Sequence, residues 1–141
     1  MLRMSKLADY AFIILTQMSA DIHRTWSATN LSNETTLPLP TVAKLMKLLA
    51  KSAIVTAQRG ATGGYLLSRP AFEISIVDII EAVDGPISLT ECAGKAAGKT
   101  VCDCAVSHCP IKEGWSHVNS AIRRSLKIVY LSDLAPTETM A

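Results

Sequence analysis

The sequence predicts a mainly α-helical fold that contains one small β-hairpin. Residues 28–52 show two helical segments joined by a proline-containing turn. Residues 54–69 show two short strand-like runs around a glycine-rich turn, which is typical of a hairpin. Residues 110–129 carry apolar side chains at helical spacing. This order predicts a winged helix-turn-helix, followed by a cysteine loop and a long C-terminal dimerisation helix.

The first two helices are predicted from capping residues and periodicity. Ser5 can cap a helix that reaches about Ala20. Its apolar face consists of Leu7, Ala11, Ile14, Leu15 and Met18. The connection Asp21–Trp26 is predicted to be polar, and a second helix at Ala28–Thr35 starts from Ser27.

The third helix, Thr41–Ser52, is predicted to have one apolar and one basic face. Pro40 suits its first position, because the N–H that proline lacks would be unpaired there. The apolar face consists of Val42, Leu45, Met46, Leu48 and Leu49. The opposite face consists of Thr41, Lys44, Lys47 and Lys51. A basic face after a short helix and a turn is typical of a helix-turn-helix, and a solvated lysine face is the alternative.

The hairpin that follows is interpreted as a wing. Strands at Ile54–Gln58 and Tyr65–Arg69 flank the turn Arg59–Gly64, and Pro70 ends the pairing. The glycines leave little bulk at the tip, so Arg59 could enter a DNA minor groove. A phosphate-binding loop is excluded, because its lysine and its following helix are absent.

Two further helices are predicted. A capping box at Ser75 opens a helix over Ile76–Val83, which Gly85 ends. The long helix begins near Pro110, and Leu131–Leu134 is predicted to close the fold. The apolar stripe of the long helix consists of Ile111, Trp115, Val118, Ile122, Leu126 and Val129. The stripe is interpreted as a seam between two subunits, and packing on the chain's own first helix is the alternative.

Composition restricts the class of protein. The chain is 49% hydrophobic, and no apolar run reaches the roughly 18 residues of a membrane span. No secretory signal is evident, which predicts a cytoplasmic protein without membrane association. Residues 1–74 carry eight Lys/Arg against four Asp/Glu, so they are the candidate nucleic-acid surface. No catalytic triad or paired-carboxylate motif is apparent, so an enzyme is not expected.

All four cysteines lie within one short polar segment: Cys92, Cys102, Cys104 and Cys109. Closely spaced thiols on a pliable loop can converge on a soft metal or on an iron–sulfur cluster. Two disulfides would need an oxidising compartment, and ordinary buried thiols would be scattered among apolar neighbours. The spacing therefore predicts a metal or cluster site, with zinc and iron–sulfur both open.

Several of these motifs together resemble one family. They are Met-Leu-Arg-Met-Ser-Lys-Leu-Ala-Asp-Tyr-Ala at 1–11, Leu-Pro-Thr-Val-Ala-Lys-Leu-Met-Lys-Leu-Leu at 39–49, Arg-Gly-Ala-Thr-Gly-Gly-Tyr-Leu-Leu at 59–67, Ile-Ile-Glu-Ala-Val-Asp-Gly-Pro at 79–86, and Glu91-Cys92. Over about residues 1–135 the chain resembles the IscR/RirA/NsrR-type winged-helix regulators, and among them the regulators of SUF iron–sulfur assembly operons. The resemblance implies a homodimer with one cluster per subunit, 2Fe–2S or 4Fe–4S. It also implies binding to a pseudo-palindromic operator in double-stranded DNA, with cluster occupancy setting the affinity.

The resemblance also implies which cysteines hold the cluster. Cys92 matches the family's first ligand and Cys109 its third. Cys102 and Cys104 flank the expected middle position, with Cys102 slightly favoured. The remaining cysteine could be a spare or the fourth ligand.

The fourth ligand differs among family members. Relatives with a 2Fe–2S cluster place a histidine where this chain has Lys112. Others use an acidic residue from the first helix of the partner subunit, and Asp9 occupies the matching position. His108 and His117 are further candidates.

For DNA, the resemblance places Thr41, Lys44 and Arg59 where the family contacts its operator. Thr41 and Lys44 would face the major groove, Lys47 a phosphate and Arg59 the minor groove. Ala43 replaces a glutamate that one branch uses to discriminate bases, so that branch's operator preference is not expected here.

The predicted organisation has four parts. Residues 1–74 form the DNA-binding domain, 75–109 a linking helix and the cysteine loop, 110–135 the dimerisation helix, and 136–141 a tail. The competing interpretations are a zinc-stabilised DNA-binding module and a thiol redox sensor in which Cys102 and Cys104 oxidise.

Overall fold

The computed structural model describes residues 3–89 and 110–135. The predicted ligands Cys92, Cys102, Cys104 and Cys109, together with His108 and the 136–141 tail, lie outside the described residues. The helices are α1 (Lys6–Ser19), α2 (Ala28–Thr35), α3 (Leu39–Lys51), α4 (Ile76–Asp84), α5 (Lys112–Lys127) and α6 (Leu131–Leu134). The strands β1 (Val55–Gln58) and β2 (Gly64–Leu67) form an antiparallel hairpin, which a 3-10 helix at Ala71–Glu73 follows.

The predicted helix-turn-helix and hairpin are confirmed, and one apolar core lies beneath them. Ser5 caps α1 by accepting a hydrogen bond from the Ala8 N–H at 3.1 Å. Helix α2 starts after Ser27 and a capping box opens α4 at Ser75, as predicted, and Ser27 also forms a capping box that was not predicted. The largest fully buried side chains come from all three N-terminal helices and from distant segments: Ile14, Leu15, Met18, Leu31, Val42, Leu45, Met46, Leu49, Ile54, Ile74, Ile79 and Leu131.

Several predicted element boundaries are wrong, including those of α3 and of both strands, since β1 starts at Val55 rather than at Ile54. Helix α3 begins at Leu39, so Pro40 lies in its second position and Pro38 is the N-cap. A proline fits there because the first-turn N–H groups have no partner within the helix. β2 covers Gly64–Leu67, so it starts one residue earlier than predicted and stops before Arg69.

The sequence predicts a polar connection before α2, but this prediction is only partly correct. Trp26 is only 2% exposed and belongs to the core. Its N–H donates to the Tyr65 carbonyl at 2.8 Å, and the Tyr65 N–H donates to the Trp26 carbonyl at 2.7 Å. Trp26 therefore acts as a one-residue third strand beside the hairpin. A single bridging residue has no sequence periodicity from which it could be predicted.

The end of the long helix also differs from the prediction. Helix α5 stops at Lys127, and Val129 leaves it to accept a hydrogen bond from the Ile76 N–H at 2.9 Å. The Leu131 N–H then donates to the Ile74 carbonyl at 2.8 Å. Leu131 is fully buried, which confirms that this segment closes the fold.

Replacing Leu131 with alanine tests whether the C-terminal segment belongs to the core. The variant is expected to lose about 2–5 kcal/mol of unfolding free energy, because the removed side chain leaves a buried cavity. Leu134, on the same short helix, is 48% exposed. Leu134→Ala is therefore the matched control, and it should change stability by less than about 0.5 kcal/mol. Equal losses in urea unfolding of the two variants would contradict the assignment.

Replacing Gly64 with alanine tests the approach of Trp26 to the hairpin. A Cβ at position 64 would lie 2.5 Å from the Trp26 carbonyl oxygen, so the backbone would have to separate. We expect a loss of about 1–3 kcal/mol in thermal or urea unfolding, from overpacking.

Gly114 in α5 provides the control, because an added Cβ there meets nothing within 4 Å. Gly114→Ala is expected to stabilise the protein by about 0.5–1 kcal/mol, since alanine favours the helix. Destabilisation by Gly114→Ala as large as that by Gly64→Ala would show that the close approach is not the cause.

Candidate nucleic-acid interface and the supports of the cysteine segment

The outer face of α3 is basic, as predicted. Val42 and Leu45 are fully buried, whereas Lys44 and Lys47 are exposed on the opposite side and Thr41 is half-buried near the start of the helix. Within residues 3–89 and 110–135, neither Lys44 nor Lys47 takes part in an ion pair. Both ammonium groups are therefore available to an anion such as a DNA phosphate.

A tight turn joins α3 directly to the hairpin. Ala53 adopts a left-handed conformation with φ of 59°. The Ile54 N–H then donates to the Leu49 carbonyl at 3.0 Å, and the Ile54 side chain is buried. Because only residues 52–54 separate α3 from β1, this turn holds the wing close to the end of α3.

The tip of the wing is narrow and exposed. Gly60 has a φ of 122°, a conformation that side chains disfavour. The Gly63 N–H closes the turn on the Gly60 carbonyl at 2.9 Å, and a Cβ on Gly63 would lie 2.7 Å from the Gln58 carbonyl oxygen. Arg59 is exposed at the start of this tip and has no ion-pair partner among the described residues.

Two other arginines of the basic region already have partners. The Arg24 guanidinium lies 3.8 Å from the centroid of the Trp26 ring and 3.0 Å from the Glu34 carboxylate. Arg69 lies 3.9 Å from Asp78. Of the six other basic residues of 1–74, four lie on α3 and the wing tip, namely Lys44, Lys47, Lys51 and Arg59, and two, Arg3 and Lys6, lie at or just before the start of α1. Most of the positive charge without an ion-pair partner among the described residues is therefore on α3 and the wing tip.

The two candidate metal ligands within the described residues, Asp9 and His117, lie on different helices. Asp9 is exposed on the first turn of α1 and lines a surface cavity of about 560 Å³ with Ser5 and Asp84. His117 is exposed on α5. Among residues 3–89 and 110–135, no three or more His, Cys, Asp or Glu side chains are grouped so that they could hold a metal ion.

The cysteine segment begins close to a polar contact that sequence reasoning missed. The Leu89 N–H donates to Asn119 Oδ1 at 2.8 Å, and Asn119 Nδ2 donates to Ser88 Oγ at 3.3 Å. Asn119 is 7% exposed. Asn119 lies at helical spacing between Trp115 and Ile122, on the apolar face of the helix. A polar residue on that face was the sequence signal that could have predicted a buried hydrogen bond.

A second polar contact holds α5 to α4 one turn further along. Arg123 Nε and Nη2 donate to the two carboxylate oxygens of Glu81 at 2.8 and 3.1 Å. These hydrogen bonds and the charge of Glu81 raise the pKa of Arg123, which stays fully protonated at neutral pH.

The apolar stripe of α5 is divided between two environments. Trp115, Ile122 and Leu126 are half-buried, and the main contacts of α5 within the chain are with α4 rather than with α1. Ile111 and Val118 are 57% and 40% exposed. One part of the stripe therefore packs within the chain and another part is free in the single chain.

No helix among the described residues is long and apolar enough to cross a membrane.

Residues 4–137 match the Rrf2 family, described as an iron-dependent transcriptional regulator. The chain is 32% identical to the HTH-type transcriptional regulator IscR of Vibrio vulnificus over 106 residues, which are 74% of this chain and 60% of that protein.

Solved structures with the same fold include two regulators. CymR of B. subtilis, described as its global cysteine regulator, has a TM-score of 0.69 and 27% identity, with 96% of this chain and 97% of that chain covered. IscR of T. potens has a TM-score of 0.69 and 23% identity, with 99% and 93% covered, and so supports the fold. These relatives are transcriptional regulators rather than enzymes. The chain belongs to the Rrf2 family of winged-helix, DNA-binding transcriptional regulators.

Proposed function

We propose that this protein binds a specific operator and that an iron–sulfur cluster on the segment Cys92–Cys109 sets its affinity for that operator. The observation that carries the DNA part is the exposed basic face of α3 beside a narrow wing tip that starts with Arg59. The concentration of four thiols in one segment supports the cluster part. In this proposal residues 1–74 are the DNA-binding domain, 75–109 the linking helix and cysteine loop, 110–135 the dimerisation helix and 136–141 a tail.

The DNA-binding residues have different tasks in this proposal. Thr41 and Lys44, on the first turns of α3, contact base edges in the major groove. Lys47, one turn later, binds a phosphate, and Arg59 enters the minor groove, where the negative potential is strong. The short connection from α3 to the wing supports simultaneous contact with both grooves.

The donor set suits the proposed cluster. Thiolates are the usual protein ligands of iron–sulfur clusters, and Cys92, Cys109 and one of Cys102 and Cys104 provide three of them. Asp9 is exposed and has no described hydrogen-bond partner for its side chain, so its carboxylate is free to serve as the fourth ligand in a partner subunit. An iron–sulfur cluster would be lost or oxidised when the iron supply or the redox conditions change, so its occupancy would signal those conditions. A carboxylate ligand would make loss of the cluster easier than a fourth thiolate would.

A homodimer is part of the proposal. The exposed part of the α5 stripe, with Ile111 and Val118, is an apolar surface that a second copy would cover. A two-fold dimer would present its two α3 helices about 34 Å apart, which matches half-sites one DNA turn apart. A pseudo-palindromic operator follows from this symmetry.

A thiol-based regulator without a cluster is the second candidate. The likeness to CymR, described as a global cysteine regulator, covers nearly all of both chains and favours it. In this case Cys102 and Cys104 would be oxidised and reduced, or the four thiols would hold zinc. Protein purified without oxygen distinguishes the candidates through its visible spectrum and its content of iron, sulfide and zinc.

Removing one lysine charge from α3 tests the DNA interface. Lys47→Gln is expected to weaken binding to all sequences similarly and to reduce the slope of log K against log salt by about one, because one fewer counterion is released. Arg124→Gln removes the same charge from the exposed surface of α5 and is the control. Fluorescence anisotropy at several salt concentrations measures both. Equal slopes for the two variants would exclude Lys47 from the interface.

Single cysteine substitutions test the cluster. Cys92→Ala and Cys109→Ala are expected to lose bound iron and sulfide, since each removes a thiolate ligand. Between Cys102→Ala and Cys104→Ala, the variant that loses the cluster identifies the middle ligand, and the other is its control. A colourless wild-type protein with one zinc and no sulfide would contradict the cluster and leave the DNA-binding proposal intact.

A further inference from the structure

Helix α5 buries a polar side chain in preference to its apolar ones. Among the side chains of α5 that the structure describes, only Asn119 is buried, at 7% exposed. Val118 beside it is 40% exposed, and Ile111 at the start of the helix is 57% exposed. Burial of an amide costs free energy unless its polar atoms are paired. The fold therefore keeps Asn119 in this position through the hydrogen bonds that it makes.

Those hydrogen bonds reach the backbone directly before the cysteine segment. The Leu89 N–H lies three residues before Cys92 and donates to Asn119 Oδ1 at 2.8 Å, a short and well-placed bond. The amide nitrogen of the same side chain donates to Ser88 Oγ at 3.3 Å. One side chain of α5 therefore holds two consecutive residues of the incoming chain.

The same face of α5 holds α4. Arg123, one turn after Asn119, donates both of its hydrogen bonds to Glu81. We call the contacts of Asn119 with Ser88 and Leu89, together with the pair Arg123–Glu81, the α4–α5 junction. A change in the segment after Leu89 would therefore act on α5 and α4 together.

Helix α4 continues the connection toward the DNA-binding face. It packs against both α1 and α3. At its C-terminal end the Asp84 carboxylate accepts a hydrogen bond from Ser5, the N-cap of α1, at 2.6 Å. Described contacts thus lead without interruption from Leu89 to the helix that carries Lys44 and Lys47.

We propose that Asn119 is a positioning residue that couples the state of the cysteine segment to operator affinity. The inference rests on the proposed function, in which an iron–sulfur cluster is the group bound by the cysteine segment, and Asn119 itself lies outside the proposed ligand set. Asn119 fixes the start of the segment to α5, so that a change in the bound state of the cysteines shifts α5 on α4. Without Asn119 the segment can change state while α5 keeps its position.

The test uses full-length Asn119→Ala, which removes both hydrogen bonds. Ser125→Ala, a substitution at an exposed position of the same helix, is the control. Asn119→Asp keeps an acceptor for the Leu89 N–H and is the conservative variant, which also serves if the alanine variant does not fold. Amide hydrogen exchange of Leu89 reports the hydrogen bond in each protein.

The second measurement is the ratio of operator affinities with and without the bound group. The probe is a duplex selected by the wild-type protein from a random library, with protein either reconstituted with ferrous iron and sulfide or stripped by a chelator. For Asn119→Ala we expect Leu89 exchange to be at least about tenfold faster. We expect the affinity ratio to fall from the roughly 5–150-fold range of typical couplings to less than about twofold, with the affinity of the stripped protein unchanged. Asn119→Asp and Ser125→Ala should keep ratios near that of the wild type.

Two results would overturn the inference. One is a wild-type affinity ratio in Asn119→Ala despite faster Leu89 exchange, and the other is unchanged Leu89 exchange. If the wild-type protein itself binds the operator equally well with and without the bound group, the proposed function is refuted and the coupling role with it. If the wild-type protein shows a clear difference in affinity and Asn119→Ala shows the same difference, only the role of Asn119 is refuted.

Discussion

The candidate DNA-binding surface depends on one backbone pairing, in which Trp26 and Tyr65 exchange hydrogen bonds of 2.8 and 2.7 Å. It ties the connection between α1 and α2 to the first residues of β2, and the buried indole ring adds apolar contact beneath it. A two-stranded hairpin is at best marginally stable alone, so this third segment and the core stabilise the wing. Gly64 is needed because only its lack of a side chain allows the two backbones to approach this closely.

A second pairing joins the segment after α5 to the backbone at the start of α4. Val129 and Leu131 bond to the backbone on either side of Ser75, immediately before α4. Burial of Leu131 in the same core as α1 means that α5 is attached at its end as well as along α4. Helix α5 is therefore connected to α4 and to the core by direct contacts rather than by a long linker.

Much of the candidate site followed from local pattern. The spacing of Lys44 and Lys47 against the buried Val42 and Leu45 predicts a basic outer face on α3, because a helix repeats every 3.6 residues. The glycine-rich turn predicts the narrow tip beside Arg59. The pairs of Arg24 and Arg69 could not be predicted in this way, since each partner is placed by the packing of a different element.

The sequence by itself determined the approximate extent of the helices, the caps at Ser5, Ser27 and Ser75, the hairpin and the concentration of thiols, because these depend on residues close together in the chain. Only the tertiary structure decided that Trp26 bridges to the wing, that Leu131 completes the core and that Asn119 holds Leu89. Each of these contacts joins positions 30 or more residues apart or acts through a single residue. Such contacts have no repeating pattern along the chain, so they arise only when the packed elements bring the backbones together.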